Sequence, residues 1–158
     1  MHHPELGITV VVLARWAVVG AWMLVISTLS GASFSEGNTT HWIDPWFEWL
    51  FPNLTFEQLL WLRWGLRKSA HVTEFFILGV LTYWAVRRGR ASWWQLSWSL
   101  QTLLVGVPFA LLDEWHQAFV PGRTSSWGDS AIDALGVLLS QVCLYALCRM
   151  LPRSQSLR

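Results

Sequence analysis

Apolar runs recur along this chain with polar stretches between them, and each run is close to the roughly 20 residues an α-helix needs to cross a bilayer. The first extends from about Thr9 to Ser30 and is broken only by Arg15. Three more cover residues 69–86, 93–115 and 130–151. This pattern predicts an all-α protein, an integral membrane bundle of about four transmembrane helices in a single domain, residues 1–158. Residues 31–66 break the pattern: they are rich in Gly, Ser, Pro, Trp and acids, and nothing among them stays apolar long enough to span. Within this segment, Thr55 to Trp64 reads as a short helix lying in the interface, with Thr55 as its N-cap. Pro108 falls inside the third span and is expected to kink it.

The first run invites a second reading as a signal peptide, because Ser30-Gly31-Ala32 offers small residues for cleavage. It is too long for one and no positive cluster precedes it, so a retained helix is expected, with Arg15 snorkelling to the nearer interface.

Composition agrees with lipid as the solvent. Of 158 residues, 53% are hydrophobic and 13% charged, with a mean hydropathy of +0.36. A soluble domain carries about 25% charged residues. The net charge of +1 gives no basic surface for nucleic acid. There are 13 tryptophans, many near the ends of the runs, where the headgroup region suits an apolar ring with an N–H to satisfy. Trp42, Trp46, Trp49, Trp61 and Trp64 are expected in one belt, and Trp93, Trp94 and Trp98 in the other. Cys143 and Cys148 lie five positions apart in one run, pointing in different directions, and read as small apolar fillers.

The short loops orient the bundle. Arg87, Arg88 and Arg90 crowd one connection, and Arg149, Arg153 and Arg158 gather at the C-terminus. The positive-inside rule places both in the cytoplasm, with the N-terminus inside and segments 31–66 and 118–128 outside.

Topology then brings three polar clusters to one leaflet. The second span opens with Arg67, Lys68, His71 and Glu74; Arg67, His71 and Glu74 share a helix face, with Lys68 beside them. The third closes with Asp113, Glu114, His116 and Gln117, where Asp113 and Gln117 share a face and His116 turns away. The fourth opens with Asp129 and Asp133, with Gly136 on the same face as Asp133. Ionisable groups at a membrane edge are expensive and face one another, a water-filled cavity or a substrate. Two readings compete: a salt-bridged lock, pairing Lys68 and Arg67 with Asp113, Glu114 or Asp129, and a pocket. As a pocket, His71, Asp113 and Glu114 are the candidate acid–base groups. Arg67, Lys68, Arg123 and the N-terminus of the fourth helix would hold an anion, with Glu74, Gln117, Asp129 and Asp133 completing the binding set. Pro121-Gly122 suits a turn, and Ser126 reads as the cap of the fourth helix with Asp129 as its capping-box partner.

The spacing His71-x-x-Glu74 puts two metal ligands one turn apart, but Arg67 and Lys68 on the same helix end would repel a cation. No metal and no cofactor is expected. A small proton-coupled transporter is the weaker alternative, since the acids lie at the membrane edge and not at the midplane.

The same residues carry a resemblance. Arg67-Lys68-Ser69-Ala70-His71-Val72-Thr73-Glu74-Phe75-Phe76-Ile77-Leu78-Gly79 resembles the RKxxHxxEYxxLG element of the VanZ-like membrane proteins. Asp113 to Arg123 looks like that family's DExxQxFxPGR, and Asp129-x-x-x-Asp133-x-x-Gly136 is similar to its third element. The three stand in the family's order, over about the C-terminal two thirds of the chain, with Phe75 where the family often has Tyr. The resemblance implies a multi-pass protein of the bacterial cytoplasmic membrane, from a group associated with teicoplanin (glycopeptide) resistance and cell-envelope polysaccharide genes. It assigns no reaction. The combined expectation is an outer-leaflet site that binds or processes an anionic, lipid-linked envelope precursor by phosphoryl or glycosyl chemistry. The partners are membrane lipids and a lipid-linked glycan or phospholipid substrate, with no nucleic acid and no predicted oligomeric state. The alternative is a non-catalytic membrane module whose polar cluster locks the helices.

Overall fold

The computed structural model describes residues 4–31, 36–88, 93–121 and 126–150, with side chains placed from 9–31, 40–88, 93–121 and 126–150. These residues form five helices: α1 (Pro4–Leu29), α2 (Glu36–Leu50), α3 (Phe56–Arg87), α4 (Leu96–Gln117) and α5 (Trp127–Met150). Four of them, all but α2, are long and apolar enough to cross a membrane.

α3 departs most from the sequence expectation. The interfacial helix at Thr55 to Trp64 and the span beginning at Ser69 are one uninterrupted helix of 32 residues. Hydropathy falls across Arg63 to Ser69, which suggested two elements. Main-chain hydrogen bonds do not depend on side-chain polarity, however, and between Thr55 and Arg87 there is no proline to break them. Thr55 is the N-cap as expected. Its Oγ1 accepts from the Gln58 amide at 3.3 Å, and its own amide donates to Gln58 Oε1 at 2.9 Å, a reciprocal capping box. At the other end Arg88 turns the chain with left-handed backbone angles, φ 51° and ψ 32°. At 1.5 Å per residue α3 is about 48 Å long, against about 30 Å for a bilayer core. The bidentate Arg63–Asp44 pair, with Nε to Oδ1 at 2.7 Å, ties α2 to this long helix.

α3 is also the hub, packing on α1, α4 and α5, while α4 and α5 pack on each other. The core between them is built from Val19, Ile26, Phe75, Leu78, Ala85, Ala110 and Val137. Glycine lets the backbones meet: a Cβ on Gly136 of α5 would stand 2.6 Å from the Val72 carbonyl oxygen of α3, and one on Gly106 of α4 would stand 2.8 Å from Val137 Cγ1. Close approach through small residues is how membrane helices gain packing when lipid supplies no hydrophobic drive. α4 remains helical through Pro108.

Successive spans alternate in direction, so each end of the bundle collects particular segments. At one end, Arg15 of α1 donates to the Trp84 carbonyl at 3.3 Å, with its guanidinium 4.7 Å from the Trp84 ring. There Tyr83 Oη also donates to the Trp93 carbonyl and accepts from the Gln95 amide, both at 3.2 Å, pinning the start of α4 to α3. The expected belt at this end needs one correction. Trp93 is exposed, but Trp98 is only 3% exposed and packs edge-on against Tyr83 with ring centres 6.1 Å apart. Trp98 lies in the first turn of α4, on the face turned to the bundle. Trp42, Trp46, Trp49, Trp61 and Trp64 are all exposed.

Candidate functional site

The opposite end gathers the C-terminus of α1, the stretch of α3 around Lys68 to Glu74, the end of α4 and the start of α5. Side chains from all four meet there. Lys68 of α3 forms an ion pair with Asp129 of α5. One turn further on, His71 Nδ1 lies 3.0 Å from Asp133 Oδ1. On the other side of the cluster, Asp113 Oδ2 accepts from Ser30 Oγ, just past the end of α1, at 2.7 Å and from Gln117 Nε2 at 2.8 Å. Glu114 Oε2 accepts the Ser126 amide at 2.9 Å, at the entrance to α5. Asp133 also lies within electrostatic reach of Asp113 and Asp129, and Glu114 within reach of Asp129, Asp133 and His71.

Burial makes the hydrogen-bond count informative. Asp133 is 0% exposed, Asp113 2% and Glu114 5%. Each carboxylate has one oxygen engaged as just described. The other oxygen of each (Asp133 Oδ2, Asp113 Oδ1 and Glu114 Oε1) has no hydrogen-bond partner among the described residues. An acceptor withdrawn from water without a donor is costly, and native interiors leave few such atoms. Two of the expected sources of donors, Lys68 and the start of α5, are already committed. Lys68 is paired with Asp129. At the start of α5 the Gly128 amide donates to Ser126 Oγ at 3.1 Å, and the Asp129 amide donates to the Ser126 carbonyl at 2.8 Å. Among the described residues, three acceptor oxygens at this end of the bundle are therefore left without a donor.

Beside it a half-open groove of about 190 Å³ runs between α4 and α5, lined by Leu111, Glu114, Trp115, Ala118, Ser126, Trp127 and Ser130. Trp115 and Trp127 are exposed, while Glu114, in the same wall, is only 5% exposed and its Oε1 is buried. A carboxylate-fixed imidazole keeps one ring orientation and one tautomer. Among the described residues no three His, Cys, Asp or Glu side chains are arranged to hold a metal ion.

The structure thus brings together Lys68, His71, Asp113, Glu114, Gln117, Asp129 and Asp133. Arg67 and Glu74 are half-buried on α3, and the Glu74 carbonyl accepts Trp22 Nε1 of α1 at 3.0 Å. His116 is exposed, as its position on α4 implied. Arg123 lies outside the described residues. Two local expectations are revised. Ser126 does cap α5, but the carboxylate that receives its amide is Glu114 and not Asp129, which is drawn to Lys68. Ser30, considered in the sequence only as a small residue after the first span, is 2% exposed and joins Asp113 and Gln117. A hydroxyl closing an apolar run marks it as polar, but nothing in the sequence shows which helix it will face.

Four long apolar helices with a buried polar cluster at one end of the bundle define a multi-pass membrane protein. A family model described as VanZ/LLP1 matches residues 14–149, most of the chain and every member of the cluster described above, and the chain belongs to that family. Membership makes it a membrane protein of a group linked to glycopeptide resistance. Comparisons with curated proteins and with solved structures gave no match.

Proposed function

We propose that this protein acts in the bacterial cell envelope. There it binds or processes an anionic, lipid-linked precursor at the outer leaflet and so affects susceptibility to glycopeptides such as teicoplanin. One conjunction carries the reading: buried carboxylates with unpartnered oxygens stand next to a groove walled by Leu111, Trp115 and Trp127. A ligand with a polar head and an apolar tail matches both parts, and a lateral groove admits it from the bilayer. Arg67, and Arg123 on the loop before α5, are the positions from which its negative charge would be met. His71, oriented by Asp133, is the group suited to proton transfer, with Asp113 and Glu114 as its acidic neighbours.

In a strain whose glycopeptide susceptibility depends on this chain, His71→Ala is expected to abolish the effect while the protein stays folded and membrane-inserted. Purified wild-type protein in nanodiscs is expected to bind a polyprenyl-phosphate-linked sugar. An unchanged phenotype together with no binding sinks the proposal.

A second reading has its own support: Lys68–Asp129 and His71–Asp133 join α3 directly to α5, as a helix lock would. Asp113→Glu separates the two. A lock that organises or shields precursors tolerates the longer carboxylate with function retained. A site with set geometry gives a folded but inactive protein.

A further inference from the structure

The chain has 10 acids and 11 Lys and Arg, yet the two signs are sorted between the ends of the bundle. At the end opposite the carboxylate cluster stand Arg15 of α1, Arg87 and Arg88 where α3 stops, and exposed Arg149 near the close of α5. The segments 89–92 and 151–158, which follow α3 and α5 in the chain, add Arg90, Arg153 and Arg158 and no acid. The one acid the sequence offers on this side is Glu5, about 15 Å from Arg15 along α1 at 1.5 Å per residue.

Arg15 differs from the other arginines in depth and in partners. It lies inside the apolar run that begins at Thr9, on a face where Val11 and Val18, about one turn to either side, are 51% and 43% exposed. α1 packs chiefly on α3, so this face meets lipid. Arg15 Nη1 donates to the Trp84 carbonyl, while the Arg88 amide turns to the Ala85 carbonyl at 3.2 Å. The guanidinium carbon is 4.7 Å from the centre of the Trp84 ring, which is 41% exposed. Nε is buried, but the bond from Nη1 is exposed, so the tip of the side chain is within reach of the bilayer. Among the described residues no carboxylate pairs with Arg15. A carbonyl dipole and a ring face attract a cation without neutralising it, and a charge set among apolar groups in a membrane calls for an opposite one.

The anion that meets this place in the fold is the phosphate of a membrane lipid. A guanidinium takes two phosphate oxygens through parallel N–H bonds. Arg87, stacked 5.2 Å from the centre of the Trp93 ring at the same end, adds attraction over a longer range. Val18 and Val25, both exposed, continue the same side of α1 toward the middle of the bilayer and give an acyl chain an apolar surface. The positive-inside rule assigns this arginine-rich end to the cytoplasmic leaflet, where basic pockets between transmembrane helices hold acidic headgroups.

We propose that the α1–α3 seam at Arg15 and Trp84 is a binding site for one phospholipid of net negative charge, with its phosphate on the Arg15 guanidinium and an acyl chain along Val18 and Val25. The site is separate from the carboxylate cluster at the other end and does not depend on what binds there.

Arg15→Gln is the informative variant, because an amide can still donate to the Trp84 carbonyl while the charge is lost. Val11→Glu tests the same site with Arg15 in place: it sets a carboxylate one turn earlier on the exposed face, where the two side chains pair. Arg149→Gln is the control, since it removes one charge at the same end but on α5, away from the seam. The full chain in mild detergent is titrated with phosphatidylglycerol, phosphatidylethanolamine or inorganic phosphate, and bound molecules are counted by native mass spectrometry. Wild type and Arg149→Gln are expected to retain one phosphatidylglycerol at least about tenfold more tightly than phosphatidylethanolamine. Arg15→Gln and Val11→Glu, each checked for an unchanged melting temperature, are expected to lose that preference, and Val11→Glu decides should Arg15→Gln fold poorly. A preference that survives in the folded variants, or an equal loss in Arg149→Gln, overturns the site in favour of diffuse attraction to the arginine-rich end. Equal retention of the two lipids by wild type overturns the selection for net negative charge. Displacement of phosphatidylglycerol by equimolar inorganic phosphate overturns the lipid as occupant.

Discussion

Asp113 shows how much one side chain in this bundle is asked to do. It lies on α4, yet its Oδ2 receives the Ser30 hydroxyl from just past α1 and an amide from its own helix, while Oδ1 receives nothing among the described residues. The Ser30 contact joins the end of α1 to α4, beside the Trp22 bond to the Glu74 carbonyl that ties α1 to α3. Ser30→Ala should therefore lower stability by about 0.5–1.5 kcal/mol, the net worth of a buried hydrogen bond. Thermal unfolding in detergent would measure this, and an unchanged melting temperature would mean that Gln117 alone satisfies the carboxylate. Asp113 and Gln117 share a helix face four residues apart, and that pair was legible from spacing. Ser30 was not, because nothing local to residue 30 says which neighbouring helix will face it.

At the scale of elements, the α3–α5 seam holds the His71–Asp133 contact in register. Gly136 sits one turn below Asp133, where an added Cβ meets the Val72 carbonyl oxygen at 2.6 Å, a backbone atom that cannot rotate away. Gly136→Ala should force the two helices apart beside His71, at about 1–3 kcal/mol as for other overpacked interiors. Gly20 of α1 is the control. Nothing lies within 4 Å of the Cβ it would gain, so Gly20→Ala should not destabilise. Equal effects of the two substitutions in a melting experiment would show that helix propensity, not the seam, is being measured. Element boundaries were legible where a local signal marks them, as at the Thr55–Gln58 capping box. They were misread where hydropathy stood in for backbone continuity, as across Arg63 to Ser69.

For the whole molecule, the Lys68–Asp129 pair joins the helix that contacts every other span to the helix that closes the bundle. Both side chains are largely buried, at 13% and 15% exposed. Breaking such a pair strands a charge, whereas replacing both partners with apolar residues relieves the desolvation of each. Lys68→Met alone should thus destabilise by about 3 kcal/mol, near the low end for buried pairs because of the residual exposure. The double variant Lys68→Met with Asp129→Leu should recover most of that loss, as read by unfolding of the four variants of the cycle. If the recovered protein also matches wild type in a glycopeptide-susceptibility assay, Lys68 and Asp129 serve the fold and not the proposed function.

The sequence by itself determined the solvent, the four long helices, and the end of the bundle where polar residues collect. Hydropathy and alternation of direction are properties of the chain in order, and they place His71, Asp113, Glu114 and Asp133 together before any packing is known. Tertiary structure alone decided who partners whom. Asp129 turns to Lys68 and leaves the Ser126 amide to Glu114, Ser30 reaches Asp113, and Trp98 faces inward. Those choices depend on the rotation of each helix about its axis and on separations of a few tenths of an ångström. Glycines such as Gly136 set such separations through contacts with distant segments, and periodicity does not record them.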